Sequence, residues 1–154
     1  NCHLIVGLGE TDRDLIDMFY KLKGEEIAGY LFSFNPEEGT ALQHQERQPI
    51  QRHRRIQLAK YLIEEKDLER EAILFDEQDH ISAIESEDAM VQESIDTGLP
   101  FMTNGCPDRD GAMACNRPYG SYRPGEEYRD YPFKPTGMEL NVIQDQMQLS
   151  SATK

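Results

Sequence analysis

The chain has 154 residues, a net charge of −13 at pH 7 and a pI near 4.6. The length suits one domain, and the negative charge argues against nucleic acid or an anionic membrane surface as a partner. No apolar run approaches the ~20 residues of a membrane span. Three cysteines, an odd number, do not fit a secreted disulfide scaffold, so we expect a reducing, cytoplasmic setting.

The opening stretch, residues 2–12, predicts a buried strand, a tight loop and the start of a helix. Residues 4–6 (Leu-Ile-Val) are typical of a strand covered on both faces. Gly7 and Gly9 allow a sharp turn and close approach of a ligand to the backbone. Thr11 is a good N-cap for the helix that follows. On these residues alone, a ligand-binding loop and a plain connecting loop remain equally open.

The two glycines do not form a dinucleotide loop. The third glycine of a G-x-G-x-x-G motif would stand at position 12, where this chain has Asp12. Glu10 places a carboxylate where a phosphate-binding loop would need a donor. We therefore expect a ligand that offers donor groups, such as an amine or a ribose hydroxyl.

A helix and a second strand are predicted next. Apolar residues recur at helical spacing over residues 15–22, and Gly24 ends the pattern. Residues 27–34 have the aromatic and apolar content of a strand, and residues 35–40 have the composition of a turn. Because parallel strands end on the same side of a sheet, we expect this turn beside the first loop.

These two loops carry a family resemblance. Ile5-x-Gly7-x-x-Glu10 resembles the fifth-strand motif of radical S-adenosylmethionine enzymes. Residues 36–40 (Pro-Glu-Glu-Gly-Thr) are similar to the stretch that follows the sixth strand in the biotin-synthase-like branch. The glycine that the family places two residues before the isoleucine is His3 here.

The resemblance implies the C-terminal half of a (β/α) TIM-type barrel that binds S-adenosylmethionine. The residues that it places at this cofactor are Ile5, Gly7, Gly9 and Glu10 near the adenosine, with Asn35 and Thr40 at the second loop. It also implies a [4Fe-4S] cluster, a 5′-deoxyadenosyl radical and a small-molecule or carrier-bound substrate. The Cys-x-x-x-Cys-x-x-Cys motif that holds this cluster is absent, so the chain alone is expected to be inactive.

The middle of the chain continues the alternation of helices and strands. Residues 49–66 predict a helix, residues 71–75 a third strand, residues 86–97 a helix and residues 99–103 a fourth strand. Residues 76–84 either extend the third strand or form a turn followed by an edge strand. We expect about four parallel strands with right-handed crossovers.

A basic cluster stands out in this acidic chain, formed by Arg47, Arg52, His53, Arg54 and Arg55. A helix N-terminus disfavours positive charge, so we expect the cluster to precede the helix or to reach outward to acidic neighbours. Ion pairing within the protein or with another subunit is favoured over substrate binding.

A half barrel leaves strand edges and one face open. We therefore expect the missing half to precede residue 1 in a longer protein, or to come from a partner subunit.

Two cysteines, Cys106 and Cys115, follow the last predicted strand and are expected at the same barrel mouth. Structural thiols and metal ligation both stay open from the residues alone. The family resemblance implies that the two cysteines hold an auxiliary iron–sulfur cluster, and that the reaction is sulfur insertion of the biotin or lipoyl synthase kind.

The predicted organisation is a half barrel over residues 1–105, a strap rich in Cys, Pro and Tyr over residues 106–136, and a short helix with a tail over residues 137–154. No residue is assigned a catalytic role. Two other functions stay open: a non-catalytic half-barrel subunit or interaction module, and a barrel enzyme of unrelated chemistry, because the fold alone fixes no reaction.

Overall fold

The computed structural model describes residues 1–103, 105–115 and 127–147. These residues form, in chain order, β1 (Cys2–Val6), α1 (Asp12–Gly24), β2 (Gly29–Ser33), α2 (Ile50–Lys66), β3 (Ile73–Phe75), β4 (Ile81–Ile84), α3 (Asp88–Thr97), β5 (Cys106–Pro107), β6 (Met113–Cys115) and α4 (Gly137–Met147). Short 3₁₀ helices lie at Arg70–Ala72 and Leu99–Phe101. The described strands pair two by two, β1 with β2 in parallel, and β3 with β4 and β5 with β6 antiparallel.

The β1–α1–β2 unit has the parallel arrangement that the sequence predicts. His3 lies opposite Tyr30 in the register of the two strands. Thr11 caps α1 as predicted, since its hydroxyl accepts a hydrogen bond from the Asp14 backbone N–H at 3.1 Å. The Asp14 carboxylate accepts one in return from the Thr11 N–H at 2.9 Å. This reciprocal capping box places the N-cap of the helix two residues after Gly9 and so limits the length of the loop.

Helix α2 is the central element of the core. It packs against α1, α3, α4 and the 3₁₀ helix at Leu99–Phe101. Its apolar residues are buried, and so are polar residues on its other sides, namely His53, Arg54, Gln57 and Lys60. A helix buried on several sides cannot show a single apolar stripe. Of the basic cluster, Arg47 precedes the helix, whereas Arg52, His53, Arg54 and Arg55 lie in its first two turns and are partly or fully buried.

The structure corrects the prediction for the third strand. β3 pairs antiparallel with β4 and not in parallel with its predecessors. The turn between them, residues 76–80, is too short for the crossover that parallel strands require. Asp76 holds this turn, because its Oδ1 accepts hydrogen bonds from the backbone N–H groups of Gln78 and His80, each at 2.9 Å. The turn followed by a strand was one of the two predicted alternatives.

The predicted fourth strand, residues 99–103, is also wrong. Gly98 ends α3 in the left-handed conformation, with φ +72°, and Pro100 continues in a 3₁₀ helix. Beyond this helix, Met102 forms an isolated parallel bridge with Tyr131. The last predicted helix is confirmed as α4. With one parallel pair among the described strands, the barrel half stays a prediction.

The two faces of the β1–β2 pair differ. Leu4, Val6 and Leu31 face the core. On the other face the His3 ring lies against the rings of Tyr30 and Phe32, and Ile5 is about half exposed. This second face is apolar and is covered only in part by the described residues.

The end of α3 offers a test of the packing. A Cβ on Gly98 would lie 2.8 Å from Cδ of Pro135, whereas one on Gly111 (φ +83°) would meet nothing within 4 Å. Both substitutions by alanine place a side chain in a left-handed conformation, which costs about 1–2 kcal/mol. Gly98→Ala adds overpacking of about 1–3 kcal/mol. Urea unfolding should therefore show a larger loss of stability for Gly98→Ala. Equal losses would contradict the described packing of Pro135 on α3.

Candidate functional site

The first loop that the sequence singles out lies at the carboxyl end of β1, against the chain on either side of the second loop. Gly7 and Gly9 have φ angles of +108° and +117°, which favour glycine. A Cβ on Gly7 would lie 3.3 Å from Cβ of Phe34, so the first loop packs directly on the end of β2. The Gln45 side-chain amide donates a hydrogen bond to the Gly7 carbonyl. The glycine loop and the chain that follows β2 thus form one surface.

Glu10 is folded back onto its own loop. Its Oε1 accepts a hydrogen bond from the Gly7 N–H and its Oε2 accepts one from the Leu8 N–H, both at 2.8 Å. Nη2 of Arg52 lies 3.1 Å from the same Oε1. Both carboxylate oxygens are therefore engaged within the protein. Where the sequence predicted an acceptor for a ligand, the geometry makes Glu10 a positioning residue that holds the glycine loop.

Arg52 joins this loop to the rest of the protein. Its Nε lies 2.6 Å from Oδ1 of the fully buried Asp12, and its Nη2 donates to the Glu10 carbonyl at 2.9 Å. The other oxygen of Asp12 accepts a hydrogen bond from the Ile81 N–H at 2.9 Å. The predicted ion pairing of the basic cluster is confirmed for Arg52. One buried pair links the start of α1, the first turn of α2 and the start of β4.

The remaining residues of the two loops differ in their surroundings. Ile5 and Leu8 are each 49% exposed, and Gly9 has open space where a Cβ would lie. Asn35 is half-buried and donates to the Ser33 carbonyl at 3.3 Å. Thr40 is exposed, and its hydroxyl donates to the Glu37 carbonyl at 2.8 Å within its own turn.

Cys106 and Cys115 are brought together by a hairpin. Their Cα atoms are direct partners in the antiparallel register of β5 and β6. Two thiols supply only two of the four ligands of an iron–sulfur cluster. Among the side chains that the structure describes, no group of three or more His, Cys, Asp or Glu residues could hold a metal ion. Cluster ligation by Cys106 and Cys115 stays a prediction, and residues 116–126 of the strap lie outside the described residues.

A buried polar network beside the first turns of α2 was missed at the sequence level. Gln48 Nε2 lies 3.0 Å from Nδ1 of the fully buried His53, whose Nε2 lies 3.7 Å from Oδ2 of Asp130. Gln57 donates to Oδ1 of Asp130 at 2.7 Å, and Arg129 donates to the Gln48 carbonyl at 2.7 Å. Burial lowers the pKa of His53 below its ordinary value, against the opposing influence of the Asp130 carboxylate.

Arg54 links α2 to residues 128 and 129 of the strap (residues 106–136). It is fully buried and donates hydrogen bonds to the carbonyls of Tyr128 and Arg129 and to the side chains of Gln57 and Gln146. Burial lowers the pKa of this guanidinium. The expectation that the basic cluster reaches outward is therefore wrong for Arg54, because backbone carbonyls replace water around it.

Comparisons of this chain with protein-family models, with curated proteins and with solved structures found no match. None of the helices within the described ranges combines the length and apolar character needed to cross a membrane.

We expect the protein to lose much of its stability when the negative charge of Asp12 is removed from the Asp12–Arg52 pair. Asp12→Asn leaves the guanidinium with a weakened partner in a buried setting, and breaking such a pair costs about 3–5 kcal/mol. The matched control is Asp79→Asn, because Asp79 pairs with Arg13 with both side chains about 40% exposed. That change should cost less than about 1 kcal/mol. Equal losses in urea unfolding would show that the Asp12 pair is not a structural anchor.

Because His53 is buried, we expect the stability of the fold to decrease in acid. Because its pKa is lowered in the folded state, its contribution is fully present above the unfolded value near 6.5 and is lost as pH falls. The free energy of unfolding should fall as the pH drops below 6.5, with a slope of up to about 1.4 kcal/mol per pH unit. His53→Gln should flatten this slope, whereas the exposed His44→Gln should keep it. An unchanged slope in His53→Gln would contradict the assignment.

Proposed function

We propose that the carboxyl ends of β1 and β2 bind S-adenosylmethionine, and that this chain is the C-terminal part of a radical S-adenosylmethionine enzyme of the biotin-synthase-like kind. The observation that supports the proposal is that the glycine loop lies against the chain on either side of the second motif: a Cβ on Gly7 would be 3.3 Å from Cβ of Phe34 and 3.6 Å from Cβ of Gln48. Ligands of proteins built from parallel β–α units bind at the carboxyl ends of the strands.

The residues at this edge fit an adenosine. Ile5 and Leu8 offer exposed apolar surface for the base, and Gly9 lets a ligand approach the backbone without a side chain in the way. Glu10 and Arg52 hold the loop before any ligand arrives, which lowers the ordering cost of binding. In such an enzyme, bound S-adenosylmethionine is the source of the 5′-deoxyadenosyl radical.

The iron–sulfur cluster is a separate matter. The side chains that the structure describes do not include a ligand set for a [4Fe-4S] cluster, so no step of the reaction is assigned to one. Sulfur insertion into a small-molecule or carrier-bound substrate is the finer proposal, and it depends on Cys106 and Cys115. The proposal also includes a reducing, cytoplasmic setting and a further barrel half or partner subunit.

A non-catalytic subunit is the second candidate function. One observation favours it, since the carboxylate of Glu10 is engaged within its own loop and leaves the family motif without a free acceptor. The partly uncovered face around Ile5 would then serve to complete a partner protein.

Calorimetric titration of the protein with S-adenosylmethionine tests the first proposal. Gly9→Ala should weaken binding at least about tenfold, because its new methyl group occupies the open space that the ligand would enter. Gly111→Ala is the matched control, since it also adds a methyl group in a left-handed conformation with nothing within 4 Å. Its affinity should equal that of the parent. Unaltered affinity in Gly9→Ala would contradict the placement, and a parent that binds no S-adenosylmethionine would favour the non-catalytic subunit.

A further inference from the structure

Two cavities that share a wall lie between α2, β4, α3 and α4. The first has a volume of about 400 Å³ and a polar lining that includes Arg52, Arg55, Asp76 and His80. The second has a volume of about 360 Å³ and an apolar lining that includes Leu58, Ile84, Val91, Ile95 and Met147. Arg55 and Ile81 line both cavities. Each is large enough for a small molecule, and we call the two adjoining cavities, one polar and one apolar, the cleft.

Arg55 stands at the junction with its charge unpaired. Its neighbour Arg52 pairs with Asp12 and Glu10, and its neighbour Arg54 donates to carbonyls and amides. Arg55 has no hydrogen bond or ion pair with the residues that the structure describes, and its Nε is buried without a partner. A buried donor on a charged group is costly when unsatisfied, so this position favours an anion.

The other charges that line the polar cavity are already engaged. The carboxylate of Asp76 accepts backbone hydrogen bonds from its own turn and lies 3.4 Å from the His80 ring nitrogen Nδ1. The guanidinium of Arg52 is balanced by two carboxylates. Arg55 is therefore the lining cation that has no described hydrogen bond or ion pair, in a chain whose net charge is −13. Charge complementarity points to one negative group next to an apolar body.

We propose that this cleft binds a linear aliphatic carboxylate, with its carboxylate on Arg55 and its chain in the apolar cavity. A guanidinium binds a carboxylate through paired N–H groups, and the apolar lining stabilises the chain by removing it from water. The site is distinct from the proposed S-adenosylmethionine site. Arg52 lines its polar end but keeps its hydrogen bonds to the glycine loop.

Calorimetric titration with decanoate tests the site, with decanol and acetate as probes that lack the charge or the chain. Decanoate should bind at least about tenfold more tightly than either. Arg55→Gln should weaken decanoate binding about tenfold or more, because a charge-assisted hydrogen bond is lost. Arg109→Gln, a change at a 95% exposed side chain of the β5–β6 turn, should leave the affinity within twofold of the parent. Thermal unfolding of both variants checks that they fold alike.

A second pair of variants tests the apolar cavity of the cleft. Val91→Ser replaces a half-buried methyl pair in the lining, and Val142→Ser makes the same change at a half-exposed position of α4 outside the described lining. Only Val91→Ser should weaken decanoate binding. Equal binding of decanoate and decanol, or unchanged decanoate affinity in Arg55→Gln, would overturn the proposal. Because S-adenosylmethionine is absent from these titrations, their outcome is independent of the function proposed above.

Discussion

The buried pair of Asp12 and Arg52 is the interaction on which the rest of the structure depends. Asp12 is fully enclosed, and it contacts α2 through Arg52 and β4 through the Ile81 N–H. Arg52 in turn holds the backbone and the carboxylate of Glu10. Three segments far apart in sequence are thereby fixed to the end of β1. A charge pair removed from water tolerates little change in geometry, so it sets the shape of the glycine loop.

Helix α2 connects the Asp12–Arg52 pair to the core of the protein. Its apolar residues pack on the surrounding helices, while buried polar residues on its other sides bind the chain at residues 128–131. The backbone of Tyr131 bonds in turn to the chain beyond α3: its carbonyl accepts a hydrogen bond from the Thr103 N–H, and its N–H donates one to the Phe101 carbonyl. The helix therefore stabilises the glycine loop through Arg52 and residues 128–130 of the strap through Arg54 and Gln57. Arg55 on the same helix lines the cleft proposed for an aliphatic carboxylate.

The sequence predicts local features of this fold better than its long-range pairing. The Thr11 cap, the helix stop at Gly98 and the strand β2 follow from short-range rules and are confirmed. Gly24 is instead the last residue of α1, and the left-handed residue beyond this helix is Glu26. Parallel pairing of residues 71–75 was wrong, because an apolar run does not reveal which strand it pairs with. The inward-facing Arg54 was missed because its partners are carbonyls of a distant segment. Glu10 was assigned to a ligand because its partners, two backbone N–H groups, have no signature in sequence.

Amide hydrogen exchange, with and without S-adenosylmethionine, tests the central claim most directly. The claim is that the glycine loop, held by Glu10 and Arg52, and the loop that follows β2 form one adenosine site. The ligand should slow exchange in peptides that cover residues 5–11 and residues 33–40 together, and leave the turn at residues 108–112 unchanged. Slowed exchange in only one loop, or in neither while the protein is saturated with ligand, would contradict the account.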